Sequence, residues 1–117
     1  MSKVILIVDD HRQVGDAVAE MLRVMGYDAH YAATGAEGIE WLSRNQPDIA
    51  FFDLTMPGTD GVDLLHQVRN LGHRFPIIVL TGYPESDRAK EALLSGASRV
   101  MTKPVSMDEL LTVVEGA

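Results

Sequence analysis

Two kinds of segment alternate along this chain, and the alternation constrains its fold more than any other feature. Short, apolar, β-rich runs stand at 4–8 (VILIV), 28–33 (DAHYAA), 48–54 (DIAFFDL), 76–82 (PIIVLTG) and 99–103 (RVMTK). The stretches that follow them repeat apolar residues every three or four positions, the period of a helix with one buried face. The first carries Val14, Ala17, Val18, Met21, Leu22 and Met25, read as one core-facing stripe, and Gly26 ends it. The second begins at Thr34, with Glu37 placed to complete a capping box, turns Ile39 and Leu42 inward, and is over by Pro47. Loop 55–61 (TMPGTDG) leads to a third, marked by Val62, Leu65 and Val68. A fourth lies within 85–97 (ESDRAKEALLSGA), closed by Gly96. The last starts at Ser106, with Glu109 forming a second capping box and Met107, Leu110, Leu111 and Val114 as its stripe.

Five strands alternating with five helices, over short connections and with strands apolar on both faces, imply an α/β fold. The sheet is parallel and doubly wound, with helices on both sides. Right-handed crossovers then place the C-terminal end of every strand on one edge. Ligands of such open sheets bind at that edge, where the strand order switches. A length of 117 residues, 46% of them hydrophobic, suits a single domain over 1–117. Only three residues follow the last stripe, so no output domain is expected in the chain.

Charge and composition narrow the function classes. A formal net charge of −7 disfavours direct nucleic-acid binding, because phosphates are repelled. The absence of cysteine rules out disulfides and thiolate zinc sites. No apolar run approaches the roughly 20 residues that span a bilayer, and the N-terminus lacks a signal pattern. The expectation is a cytoplasmic protein with no membrane partner.

The residues after each strand carry the chemistry. Asp9 and Asp10 follow the first, Asp53 ends the third, Thr81 ends the fourth and Lys103 ends the fifth. Three carboxylates gathered at one edge repel and tend to take up protons. A hard divalent cation relieves that conflict through one or two carboxylates and water, leaving room for a phosphate oxygen. Lys103 offers a positive charge, and Thr81 a hydroxyl, to further phosphate oxygens. Phosphoryl transfer needs little more than these parts, and a carboxylate can serve as the nucleophile. Asp9 and Asp10 can also be read as helix caps, and Asp53 as a turn residue, but neither reading accounts for the set. The four histidines, His11, His30, His66 and His73, share no ligand spacing. They are read as surface or loop residues, with His11 beside the site.

Taken together, VDD (8–10), DLTMPGTDG (53–61), TG (81–82) and TKP (102–104) resemble the receiver domain of two-component response regulators over essentially the whole chain. That resemblance implies a flavodoxin-like sheet in the order 2-1-3-4-5. It implies that Asp53 is the phosphoacceptor and that Asp10 and Asp53 bind Mg2+ (or Mn2+). The backbone carbonyl of Thr55 joins them, and Asp9 acts through a water. Lys103 would pair with the phosphoryl group or, before phosphorylation, with Asp53, while Thr81 would turn toward the phosphoryl oxygen. The Lys103–Pro104 bond would be cis. The phosphoryl group would come from a sensor histidine kinase or a histidine phosphotransfer protein. Beyond catalysing its own phosphorylation and slow self-dephosphorylation the chain would not be an enzyme. Output would pass through the face of the fourth helix, fifth strand and fifth helix, with Arg88, Lys90, Leu94, Arg99 and Thr102 exposed. It would reach a partner, an output domain of a longer protein or a phosphorylation-dependent dimer.

One position departs from the family pattern. The family often has an aromatic residue three places before the lysine, where this chain has Val100. Tyr83, two residues after Thr81, is the substitute, either in switching or in shielding an acyl phosphate from water. Two other function classes compete. A magnesium-dependent phosphohydrolase would need a general acid two residues after its aspartyl nucleophile, where Thr55 stands. A binding-only module would not need the complete acid, lysine and hydroxyl set.

Overall fold

A computed structural model describes residues 2–117. The elements run β1 (Val4–Val8), α1 (Arg12–Val24), β2 (Asp28–Ala32), α2 (Gly35–Leu42), β3 (Ile49–Asp53), α3 (Gly61–Asn70), β4 (Ile77–Thr81), α4 (Asp87–Leu94), β5 (Arg99–Thr102) and α5 (Met107–Glu115). All four strand pairings are parallel, in the order β2-β1-β3-β4-β5. The expected doubly wound sheet is therefore present, with the order switching between β1 and β3.

Strand side chains alternate between two cores. Leu6, Val8, Ala50, Phe52, Ile77 and Val79 face α2, α3 and α4, while Ile5, Ile7, Ile49, Phe51, Ile78 and Leu80 face α1 and α5. The inner strands β3 and β4 are buried at every residue, which explains their unbroken apolar sequence. The edge strands β2 and β5 each keep exposed positions.

Two local expectations are corrected. The stripe read for α1 is rotated. Gly15, Ala19 and Leu22 are its buried residues and Val18 is half-buried, whereas Val14, Ala17, Met21 and Met25 are exposed. The cause is Tyr31 of β2, whose ring occupies the space that a Cβ on Gly15 would fill. Gly15 faces the sheet because only glycine allows that approach, and it sets the face that Ala19 and Leu22 share. At α2, Thr34 accepts the Glu37 N–H as read, but the Glu37 carboxylate reaches past it to the N–H of Ala33. The box at Ser106 and Glu109 closes reciprocally. No described helix is long and apolar enough to cross a membrane.

Candidate functional site

Register fixes where the polar strand ends meet. Val8 lies opposite Phe52, Asp53 opposite Leu80 and Thr81 opposite Thr102. The residues just beyond these pairs thus share the C-terminal edge. Behind Asp53 the backbone is tightly packed. A Cβ on Gly61, the first residue of α3, would lie 2.7 Å from the Asp53 carbonyl oxygen. Gly61 also donates its N–H to the Leu54 carbonyl at 2.9 Å. Glycine at 61 is what allows α3 to start directly against the end of β3.

Asp9, Asp53 and Thr81 are buried polar residues. The ammonium of Lys103 lies 3.1 Å from Asp9 Oδ2 and 3.3 Å from Asp53 Oδ2. Asp53 Oδ1 accepts the Thr55 N–H at 3.4 Å. Asp53 Oδ2 accepts no hydrogen bond, although it is buried and the lysine is near. The bond Lys103–Pro104 is cis, as expected.

The two buried acids titrate apart. Burial, and next the Asp9 charge, push Asp53 up to about 6, against the smaller downward pull of Lys103. Burial acts upward on Asp9 too, but the His11 N–H, Lys103 and the His11 imidazole outweigh it and hold Asp9 below its ordinary value. Lys103 sits above its ordinary range because Asp9 and Asp53 overcome the effect of its burial. Asp9 is thus the committed anion, and Asp53 the acid poised between forms.

Thr81 Oγ1 accepts the N–H of Tyr83 at 3.0 Å. The Tyr83 side chain is 79% exposed and points away from the core. Val100 packs partly buried against the core shared by α2, α3 and α4.

The structure sharpens the expectation for His11 and adds three features that the sequence does not show. His11 reaches into the acid cluster: its Nδ1 lies 2.9 Å from Asp9 Oδ1, 3.4 Å from Asp10 Oδ1 and 3.9 Å from Asp53 Oδ2. Its place directly after the acid pair was the available signal. His30, read as a surface or loop residue, is half-buried in β2 and packs its ring against Trp41 at 4.9 Å. The Tyr31 hydroxyl donates to the backbone carbonyl of Asp9, tying β2 to the turn that carries both acids. Nothing in the sequence pairs positions 9 and 31. Arg88, expected on an open face, instead clamps Asp60 at 2.7 Å, Asp63 at 3.0 Å and Glu91 at 2.8 Å. The Arg88 hydrogen bonds hold Asp60 below its ordinary range against its partial burial. Arg88 therefore joins α4 to the start of α3 and is half-buried, whereas Lys90, Leu94, Arg99 and Thr102 are exposed.

The donor set suits a divalent cation. Asp9, Asp10, His11 and Asp53 each offer an atom within 4.8 Å of the others. The unpartnered oxygen of Asp53 is the stronger observation, since a buried carboxylate oxygen rarely lacks a donor and a hard cation would satisfy it.

Residues 5–115 match the family described as response regulator receiver domain. The response regulator MprA of Mycobacterium sp. (strain KMS) is 35% identical over 107 residues, covering 92% of this chain and 46% of its own length. The regulatory protein AtoC of Escherichia coli (strain K12) is 34% identical over 113 residues, covering 97% of this chain and 24% of its own. The chain thus spans less than half the length of either relative. Among solved structures, a CheY-like receiver domain protein from Methanospirillum hungatei JF-1 superposes with a TM-score of 0.92 at 31% identity, covering 99% of this chain and 93% of that one. Vibrio cholerae chemotaxis protein CheY4 superposes with a TM-score of 0.92 at 25% identity, covering 99% and 98%.

Proposed function

Because this chain belongs to the receiver domain family of response regulators, we propose that it is a phosphorylation-controlled switch whose acceptor is Asp53. The observation that carries the reading is Asp53 Oδ2, a buried oxygen with no hydrogen bond, 3.3 Å from Lys103. An oxygen so placed, ion-paired with the Lys103 ammonium but held by no hydrogen bond, keeps a lone pair for attack on phosphorus. It attacks the phosphorus of a phosphohistidine on a sensor kinase or phosphotransfer protein. The Oδ2–P bond forms, the P–N bond breaks, and the departing imidazole nitrogen keeps the electron pair and takes a proton. Lys103 moves from Asp53 to a phosphoryl oxygen while keeping Asp9 as its second partner. Thr81 gives up the Tyr83 N–H that its Oγ1 accepts and donates its own hydroxyl proton to a phosphoryl oxygen.

Asp10 and Asp53, with the Thr55 carbonyl, would hold Mg2+ (or Mn2+), and Asp9 would act through a bound water. When bound, the ion neutralises charge shared between the acids and the phosphoryl oxygens. Hydrolysis of the acyl phosphate resets the switch, and Tyr83, exposed beside Thr81, slows it by folding over that side of the site once the phosphoryl group is in place. With Val100 in place of an aromatic residue, the signal leaves through the Thr81–Tyr83 turn and α4. Leu94, 89% exposed, marks the face that an output partner, an output domain of a longer protein or a second copy would cover. On this reading residues 1–117 form one receiver unit, and the output lies outside them.

The test is intact-mass measurement after incubation with Mg2+ and acetyl phosphate. One added phosphoryl group that is lost in Asp53→Asn is expected. No gain under any condition favours a binding-only module, and rapid release of free phosphate from many substrates favours a hydrolase.

A further inference from the structure

We propose that His11 makes the acidic site a nitrogen-containing centre that prefers nitrogen-accepting divalent ions such as Ni2+ and Zn2+ over Mg2+. The inference rests on the cation-binding reading above and adds a ligand to it. Three observations carry it. First, the imidazole Nδ1 stands 2.9 Å, 3.4 Å and 3.9 Å from oxygens of Asp9, Asp10 and Asp53. Metal–ligand bonds of about 2.0–2.1 Å put neighbouring ligands about 3.0 Å apart in an octahedron and about 3.4 Å apart in a tetrahedron. The 2.9 Å approach to Asp9, the acid that would act through a water, is a hydrogen bond that orients the ring; of the two acids that would ligate directly, Asp10 at 3.4 Å matches a tetrahedral edge and Asp53 at 3.9 Å needs a movement of about 0.5 Å.

Second, Asp53 Oδ2 is buried and accepts no hydrogen bond, and its cationic neighbour Lys103 stands off at 3.3 Å, so a metal ion would supply the close partner it lacks. Third, the ring is held in place. Nδ1 lies 2.9 Å from Asp9 Oδ1, a hydrogen bond that turns the imidazole toward the acids, and the His11 backbone N–H donates to the same oxygen at 2.9 Å. The ring is still 64% exposed, which leaves a path for the ion and for water as remaining ligands.

Donor chemistry then decides the selectivity. Mg2+ takes oxygen ligands and keeps its waters, so an imidazole adds little to it. Ni2+ and Zn2+ accept imidazole nitrogen readily, and their affinity for mixed nitrogen and oxygen sites exceeds that of earlier divalent ions. His11 would bind through Nδ1 with its proton on Nε2.

The experiment compares the wild type with His11→Gln, an exposed position whose substitution leaves the core untouched. Calorimetric titrations with Mg2+ and with Ni2+ are run at about pH 8, above the ordinary imidazole range. The expected result is an Ni2+ affinity at least about tenfold weaker in the variant and an Mg2+ affinity within about twofold. Long-range 1H–15N spectra should show a Zn2+-induced shift of the His11 Nδ1 resonance that Mg2+ does not produce. The inference is overturned if His11→Gln changes both affinities equally or neither, or if that resonance does not move. If Mg2+ still binds and supports phosphorylation in that case, the switch reading survives. If the wild type binds neither ion, both readings fall.

Discussion

Replacing Asp53 by asparagine should stabilise the metal-free protein at neutral pH, and the gain should fade as the pH falls. Burial and the neighbouring Asp9 raise the Asp53 carboxyl from its ordinary 3.8 to about 6. At about 1.4 kcal/mol per tenfold change in proton affinity, that shift corresponds to about 3 kcal/mol. Above pH 6 the folded protein must hold a buried carboxylate that the unfolded chain leaves in water. As the pH drops from 6 to 3.8, the folded state takes up a proton that the unfolded state does not. The wild-type destabilisation therefore disappears across that window. Asparagine keeps the shape and carries no charge, so the variant should lead by about 3 kcal/mol at pH 8 and by nearly nothing at about pH 3.5. Asp9, whose carboxyl is lowered, loses stabilisation over a more acidic range, but it does so in both proteins and largely cancels. Urea titrations in EDTA across this pH range measure the difference, which is about 10 °C in Tm at pH 8 for a domain of this size. A difference that does not vary with pH, or a variant less stable at pH 8, would refute the assignment of Asp53 as a strained, buried acid.

Other perturbations follow from the same geometry. Gly61→Ala places a methyl group 2.7 Å from the Asp53 carbonyl oxygen, so a loss of about 1–3 kcal/mol in denaturant titrations is expected, with weaker Mg2+ binding as β3 shifts. Tyr31→Phe removes the hydrogen bond to the Asp9 carbonyl. It should cost about 1 kcal/mol and speed amide exchange in the turn at 9–11, which hydrogen-exchange mass spectrometry reads. Tyr83→Ala should shorten the lifetime of the aspartyl phosphate, followed by loss of the phosphorylated mass; an unchanged lifetime would remove Tyr83 from the account.

Much of the frame could be read from pattern. β1, β3 and β4 announce themselves because strands buried on both faces tolerate only apolar residues, and each ends where the sequence turns polar. The strand ends then bring Asp9, Asp53, Thr81 and Lys103 to one edge, since the topology decides that and side-chain detail does not. The α1 stripe was misread because hydrophobic spacing is blind to size. Gly15 faces the sheet because the Tyr31 ring leaves no room there for a side chain, which turns Ala19 and Leu22 inward and leaves the methionines outside. Arg88 was misplaced for a related reason: its partners Asp60 and Asp63 lie 28 and 25 residues away, beyond any helical or turn spacing. His11 was noticed as a neighbour of the site, but its approach to three carboxylates depends on how the first turn folds back. That turn is fixed by local hydrogen bonds, not by periodicity.

The most direct test of the account locates the phosphoryl group. After incubation with Mg2+ and acetyl phosphate, the protein is treated with borohydride, which reduces an aspartyl phosphate to homoserine, and the peptides are sequenced by mass spectrometry. Homoserine at position 53, absent when Mg2+ is chelated, is the predicted result. Homoserine at position 9 or 10 instead, or at no position, would contradict it.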